Sequence, residues 1–151
     1  MSAKEENLPL LKWIQDNVPS SGTDQFFEYI FNVDGKSKFH IRLQGGQLGN
    51  SDPDEMLSSL ADYKTINVQI FESLRIEGRS LDNLNIWRTT ATPIFPDTDD
   101  RFLDQPWAKD WEIAKSLTGI SSMVSYLMVS PDTICDIIRY CIRISGLKAF
   151  W

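Results

Sequence analysis

The chain has 151 residues, of which 42% are hydrophobic and 24% are charged. That length and hydrophobic content suit one domain with a buried core, and they argue against an intrinsically disordered chain. Lys and Arg number 15 against 21 Asp and Glu, so the net charge is −6, which disfavours a dedicated nucleic-acid binder.

An amphipathic helix is the first predicted element, running from Asn7 or Leu8 to Val18. Asn7 is placed to cap the start of this helix, and Pro19 ends it. Residues 20–23 predict a turn. The segment before the helix lacks the apolar run of a secretory signal.

Residues 26–43 carry the clearest local signal, which is that of a β-hairpin. Two β-prone runs flank Asp34-Gly35, a pair that favours a two-residue turn. That turn places Tyr29 opposite His40. One face, the predicted core, then holds five apolar residues: Phe26, Ile30, Phe39, Ile41 and Leu43. The other face combines aromatic and basic residues, which are Phe27, Tyr29, Phe31, Lys36, Lys38, His40 and Arg42. A slip of one residue on either strand would exchange the two faces.

The middle of the chain predicts a helix and two strands. The helix begins at Asp52 as cap, with Pro53 at its first position. Alternation of apolar and polar residues predicts a strand over Thr65–Ile76, and a second strand follows over Leu84–Ala91. A long irregular stretch, Thr92–Gln105, connects this part to the C-terminal third.

The last third predicts two helices around an undecided segment. Residues 106–117 fit a helix in which Trp107 and Trp111 lie one turn apart. The short apolar run at 121–129 fits a buried strand or a helix. A final helix covers 131–145, and its apolar face consists of Ile134, Ile137, Ile138, Cys141 and Ile142.

The predicted element order is α-ββ-α-ββ-α-(β or α)-α. This order fits an α+β fold in which helices cover one face of an antiparallel sheet of four or five strands. We expect a single domain over residues 1–151.

The two cysteines, Cys135 and Cys141, are predicted in one helix, about 9 Å apart along its axis, which is too far for a disulfide. Their spacing does not suggest a zinc site. No stretch approaches the roughly 20 apolar residues of a membrane span. We therefore expect a cytoplasmic protein with reduced thiols, no membrane association, no metal and no cofactor.

The aromatic–basic face of the hairpin is the first candidate site. Rings opposite cations form cation–π pairs and suit contact with a protein partner. The same pattern could stack the bases of a single-stranded nucleic acid, although the negative net charge disfavours that class. Alternatively, the face has no binding role, and the apolar stems of Lys and Arg simply cover the aromatic rings.

A ligand pocket near the long 92–105 loop is the second candidate. Aromatic residues spread over a strand, the loop and a helix could converge there, namely Trp87, Phe95, Phe102, Trp107 and Trp111. They could equally fill the core between sheet and helix.

Four loop aspartates, Asp97, Asp99, Asp100 and Asp104, do not have EF-hand spacing, so we expect a solvated acidic loop in which Asp104 caps the next helix. No catalytic residue is predicted, because the lone His40 lacks the sequence context of a triad. The apolar C-terminal tail, Leu147, Ala149, Phe150 and Trp151, could dock on its own chain or on a second copy.

The sequence thus favours a small acidic protein that binds another protein through the hairpin and that could form a homodimer. It would serve as an adaptor, regulator or inhibitor, and catalysis is the less favoured class. A small-ligand or metal-dependent enzyme or receptor built on the Trp-lined pocket is the alternative, and a single-stranded nucleic-acid binder is the second alternative. Residues 36–42 hold three Lys or Arg and no acid, so the predicted contact face departs from the acidity of the whole chain.

Overall fold

The computed structural model describes residues 3–32, 39–47, 51–73, 91–94, 99–110, 112–114 and 124–144. In these ranges the chain forms two α-helices, α1 (Leu8–Asn17) and α2 (Pro131–Ile144). The strands are β1 (Ser20–Thr23), β2 (Phe26–Asn32), β3 (Phe39–Gly46), β4 (Ile66–Ser73), β5 (Ala91–Pro93), β6 (Glu112–Ala114) and β7 (Val124–Val129). Single turns of 3₁₀ helix lie at Glu5–Asn7, Leu60–Asp62 and Ala108–Asp110.

All the strand pairs are antiparallel, and the sheet order is β1-β2-β3-β4-β7-β6. Strand β4 pairs with β3 on one side. On its other side β4 pairs with β7 at Ile66–Val68 and with β5 at Phe71–Ser73. The fold is therefore α+β with an antiparallel sheet. The sequence indicated fewer strands because it predicted a turn at β1 and a helix across β6, which has only three residues.

One hydrophobic core lies between the sheet and the two helices. The alternation of β3 and β4 places every second residue on this inner face, and pairs such as Ile41 with Ile70 and Leu43 with Val68 are fully buried. The helices contribute Leu10, Leu11, Ile14, Ile134, Ile137, Ile138 and Ile142. Burial of this apolar area is the main favourable term in folding.

Two of the four predicted helices, the first and the last, are confirmed, at Leu8–Asn17 and Pro131–Ile144. Ser130 caps α2, since its Oγ accepts a hydrogen bond from the Thr133 backbone N–H at 3.2 Å. Asn7 does not cap α1. Its side-chain amide instead donates to Asp132 Oδ1 at 2.8 Å, and this carboxylate also accepts from the Lys4 backbone N–H.

The predicted helix that starts at Asp52 is wrong. Asp52 forms a β-bridge with Thr65, and only Leu60–Asp62 completes one 3₁₀ turn. The Tyr63 hydroxyl holds the intervening turns, because it accepts from the Leu57 N–H at 2.8 Å and donates to the Glu55 carbonyl at 2.7 Å. Backbone pairing with Thr65, the residue before β4, therefore replaces the helix that the capping pattern indicated.

The predicted helix at 106–117 is also wrong. Successive tight turns run from Asp99 to Ala108, and the chain then enters β6, which pairs with β7. Pairing in the sheet has overridden the helical spacing of the tryptophans. The undecided segment is a strand at Val124–Val129, and the predicted turn at 20–23 is the edge strand β1.

The predicted strand at 84–91 lies outside the described residues except for Ala91, which begins β5. The apolar tail at 147–151 also lies outside them. Among the helices that the structure describes, neither is long and apolar enough to cross a membrane.

Candidate functional site

The pairing of β2 with β3 differs from the register predicted from the Asp34-Gly35 turn. Tyr29 lies opposite Leu43 rather than His40, a shift of three residues. Because a shift by an odd number exchanges the faces of one strand relative to the other, the predicted aromatic–basic face is divided. His40 now lies opposite Asn32, and Arg42 lies opposite Ile30.

Three of the predicted partner-binding residues, Phe27, Tyr29 and Phe31, are core residues that are 6–8% exposed. The predicted core residues Phe39, Ile41 and Leu43 are indeed buried beside them. Lys36 and Lys38 lie outside the described residues. The rings on which nucleic-acid stacking depended are therefore covered, and the predicted contact face loses its aromatic half.

His40 and Arg42 lie on the outer face of the sheet, which faces away from both helices. Ile30, which the sequence placed in the core, is here and is 44% exposed. The Arg42 Nε lies 3.5 Å from Glu28 Oε2, and its Nη1 donates to Gln69 Oε1 at 3.1 Å. Burial lowers the pKa of His40, so its ring is neutral at pH 7.

The Arg42 guanidinium also lies over the Phe71 ring, 5.2 Å from the ring centroid. Gln44 donates a hydrogen bond to the Glu28 carboxylate. Five side chains of β2 and β3 lie together on this outer face, and we call them the outer patch: Glu28, Ile30, His40, Arg42 and Gln44. The neighbouring β4 residues Asn67 and Gln69 are each only 7% exposed, so the exposed patch does not extend onto them.

The predicted aromatic pocket is placed only in part, because Trp87, Phe95 and Trp111 lie outside the described residues. Phe102 and Trp107 come together with ring centroids 6.0 Å apart. Tyr140 of α2 joins them, 5.6 Å from Phe102 and 6.2 Å from Trp107. Phe102 is fully buried and Trp107 is 6% exposed, so this cluster packs the turn against α2.

A groove of about 360 Å³ lies beside this cluster, between α2 and residues 105–107. Its lining, which we call the α2 groove, consists of Gln105, Pro106, Trp107, Thr133, Asp136, Arg139, Tyr140 and Arg143. The sequence prediction included Trp107 but missed the helix side chains. These helix side chains recur at helical spacing on the face of α2 opposite its isoleucines, and that spacing could have indicated them from the sequence.

The acidic loop is organised by Arg101. Its guanidinium donates to Glu72 at 2.8 and 3.0 Å and to Asp99 at 2.8 and 3.1 Å. These hydrogen bonds lower the pKa of Asp99. Asp100 and Asp104 are exposed, and Asp97 lies outside the described residues. In the described residues that follow Asp104, tight turns and a single 3₁₀ turn at Ala108–Asp110 replace the helix that it was expected to cap. Among the described side chains, no group of three or more metal-ligating residues comes together.

Cys135 and Cys141 form no disulfide, and both are buried in the core. Burial raises the pKa of each to about 12. The thiolate is the reactive form, so both thiols are inert in the folded protein at neutral pH.

We expect both thiols to react with a disulfide reagent at pH 8 only when the protein unfolds. A pKa rise from 9.0 to about 12 cuts the thiolate fraction about a thousand-fold, and burial further blocks the reagent. Thiol titration with and without urea checks the labelling, and fast labelling of the native protein would contradict it.

The raised pKa of the two thiols also predicts how the free energy of unfolding depends on pH. Because the thiol pKa is higher in the folded than in the unfolded protein, ionisation favours unfolding. The free energy of unfolding should therefore be unaffected by the thiols below pH 9 and should fall as pH rises towards 12. Urea unfolding at pH 8 and pH 10 checks the pH dependence of stability, and equal values would contradict that.

No family model, no curated protein and no solved structure matches this chain. Its function is therefore inferred from the chemistry of the outer patch and of the α2 groove.

Proposed function

We propose that this protein is a non-enzymatic protein-binding module, of the adaptor, regulator or inhibitor type, and that the outer patch is its contact surface. The observation that carries the proposal is Ile30, a large apolar residue that is 44% exposed on a strand. Arg42 lies directly opposite it, and Glu28 with Gln44 forms the next pair along the hairpin.

An apolar side chain within a polar rim is the usual anatomy of a protein interface. Ile30 supplies the anchor, which a partner would remove from water. Arg42 supplies charged hydrogen-bond donors, and arginine is enriched where interfaces concentrate their binding energy. The Glu28 ion pair and the Phe71 ring hold the guanidinium in one place, so little side-chain entropy remains to be lost on binding.

Binding is favoured over catalysis by the state of the reactive side chains in the described part of the chain. The Asp99 carboxylate accepts hydrogen bonds from Arg101 at both oxygens, and both thiols stay protonated. A catalyst needs such groups poised near neutral pH and free to act.

We further propose that residues 1–151 form a single α+β domain in a cytoplasmic setting. Asp132 at the start of α2 binds Lys4 and Asn7 near the N-terminus, which supports one cooperative unit. A second copy of the chain is an alternative partner for the outer patch.

Replacing Ile30 with Asp should abolish partner binding while leaving the fold intact. We expect at least about a 30-fold loss of affinity, since a central anchor residue contributes about 2 kcal/mol or more. Leu103→Asp is the matched control, because Leu103 is also 44% exposed but lies in the turn at 99–107. A partner captured from host extract and then purified would be titrated against the wild type and both variants by calorimetry.

Equal weakening by both variants, or full affinity of Ile30→Asp, would reject the outer patch as the contact surface. Sedimentation of the wild type alone tests the homodimer, which Ile30→Asp should dissociate if the second copy uses this patch. Binding of an oligonucleotide that weakens steeply with salt would instead favour the nucleic-acid alternative.

A further inference from the structure

The α2 groove combines positive charge with aromatic walls in a chain whose net charge is −6. Arg139 and Arg143 lie one helical turn apart on α2, and Asp136 is the one carboxylate among the lining residues that the structure describes. The closest approach of Arg139 to Asp136 is 3.9 Å, and the Asp136 side chain is 67% exposed. Such a long, solvated pair contributes little.

The two groove arginines differ from Arg101 in how their donors are used. Arg101 donates to two carboxylates and is a structural residue. Within the described part of the chain, neither Arg139 nor Arg143 donates a hydrogen bond to another residue, and no carboxylate pairs with Arg143. Each guanidinium has five N–H donors, so the groove offers unused capacity for an anion.

The aromatic side of the groove is built by Tyr140 and Trp107, whose ring planes meet at 73°. Tyr140 is fixed because its hydroxyl donates to the Arg101 carbonyl oxygen. The Arg143 guanidinium lies 5.6 Å from the centroid of the Tyr140 ring. Charge and ring therefore meet at one place on the helix surface.

We propose that the α2 groove binds a small organic anion in which a planar ring carries a carboxylate or a phosphate. The anionic group pairs with Arg139 and Arg143, and the ring lies against Tyr140 and the part of Trp107 that lines the groove. The groove volume of about 360 Å³ is close to the lower end of small-molecule sites, about 300–1,000 Å³, and so suits one or two fused rings. Gln105 supplies an amide at the opposite wall.

This site is separate from the outer patch, since it lies on the helix side of the sheet. Its occupation could therefore be measured without any protein partner. The charge of Asp136 limits the ligand to one negative group, because a second negative group would lie near that carboxylate and be repelled by it.

The test uses 1-naphthoate as the probe and the intact chain as the receptor. Titration would be followed by the shifts of the Trp107 indole N–H and of the Arg139 and Arg143 Nε–H signals in ¹H–¹⁵N spectra. We expect saturable shifts for 1-naphthoate, and much weaker binding for 1-naphthalenemethanol, which has the rings without the charge, and for acetate, which has the charge without the rings. The affinity should fall as salt rises.

Arg143→Gln should weaken naphthoate binding about ten-fold, because it removes a charge-assisted hydrogen-bond donor. Arg143→Lys keeps the charge and should retain part of the affinity. Lys64→Gln is the matched control, because the Lys64 side chain is 79% exposed and lies outside the groove, and it should bind as the wild type does. Arg143 is exposed near the end of α2, so its variants should fold, and the spectra report this directly.

Equal binding of naphthoate and the neutral alcohol would overturn the proposal, as would unchanged affinity in Arg143→Gln. The absence of any saturable shift at millimolar naphthoate would also overturn it. None of these results bears on the outer patch, which is tested by Ile30→Asp.

Discussion

Replacing Phe102 with Ala will lower the free energy of unfolding by about 3–5 kcal/mol, the range for a buried aromatic ring cut to a methyl group. The Phe102 side chain is fully buried. Its ring centroid lies 5.8 Å from Phe39 of the sheet and 5.6 Å from Tyr140 of α2. It therefore joins the turn at 99–107 to the sheet and to the helix, and its loss leaves a cavity between all three.

Leu103→Ala is the control for this change. Leu103 is the next residue and is 44% exposed, so its truncation should cost less than about 1 kcal/mol. Urea unfolding followed by Trp fluorescence and by circular dichroism gives both values. If Phe102→Ala costs no more than Leu103→Ala, then Phe102 does not connect the three elements and the walls of the α2 groove are not built as described.

The helices were predictable because their signals are local. Ser130 and Pro131 mark the start of α2, and isoleucines at helical spacing mark its buried face. The helices predicted at Asp52 and at Pro106 carried similar signals but do not form. In both places the backbone groups pair with a segment further along the chain, Thr65 just before β4 in one case and β7 in the other, and no local pattern reports such a partner.

The candidate sites were predictable only in part, for two physical reasons. The outer patch depends on the register of one hairpin, where a shift of three residues moved Ile30 out of the core and Phe27 into it. The α2 groove joins Trp107 to Tyr140, which are 33 residues apart, so only the fold brings the two rings together. In each case the residue types were visible in the sequence, but their neighbours were not.

The register itself predicts a strong effect of Gly45→Ala. Phe27 lies directly opposite Gly45, and its ring covers the glycine. A Cβ added to Gly45 would lie 2.3 Å from Phe27 Cζ and 3.1 Å from Ser51 Cβ. The ring is itself confined, 5.6 Å from Tyr29 and 5.5 Å from Tyr63 between ring centroids. We expect a loss of about 2–3 kcal/mol of unfolding free energy, the upper part of the range for overpacking a core.

A double-mutant cycle makes this a test of the register. In a Phe27→Leu background the ring is gone, so Gly45→Ala should cost at least about 1 kcal/mol less than in the wild type. Urea unfolding of the four proteins gives the coupling free energy. With Phe27 opposite Arg42, as the Asp34-Gly35 turn predicts, Gly45 would lie three residues further along the strand and the two changes would be independent. Additive costs would therefore restore the turn-based register, return Ile30 to the core, and remove the residue on which the proposed contact surface depends.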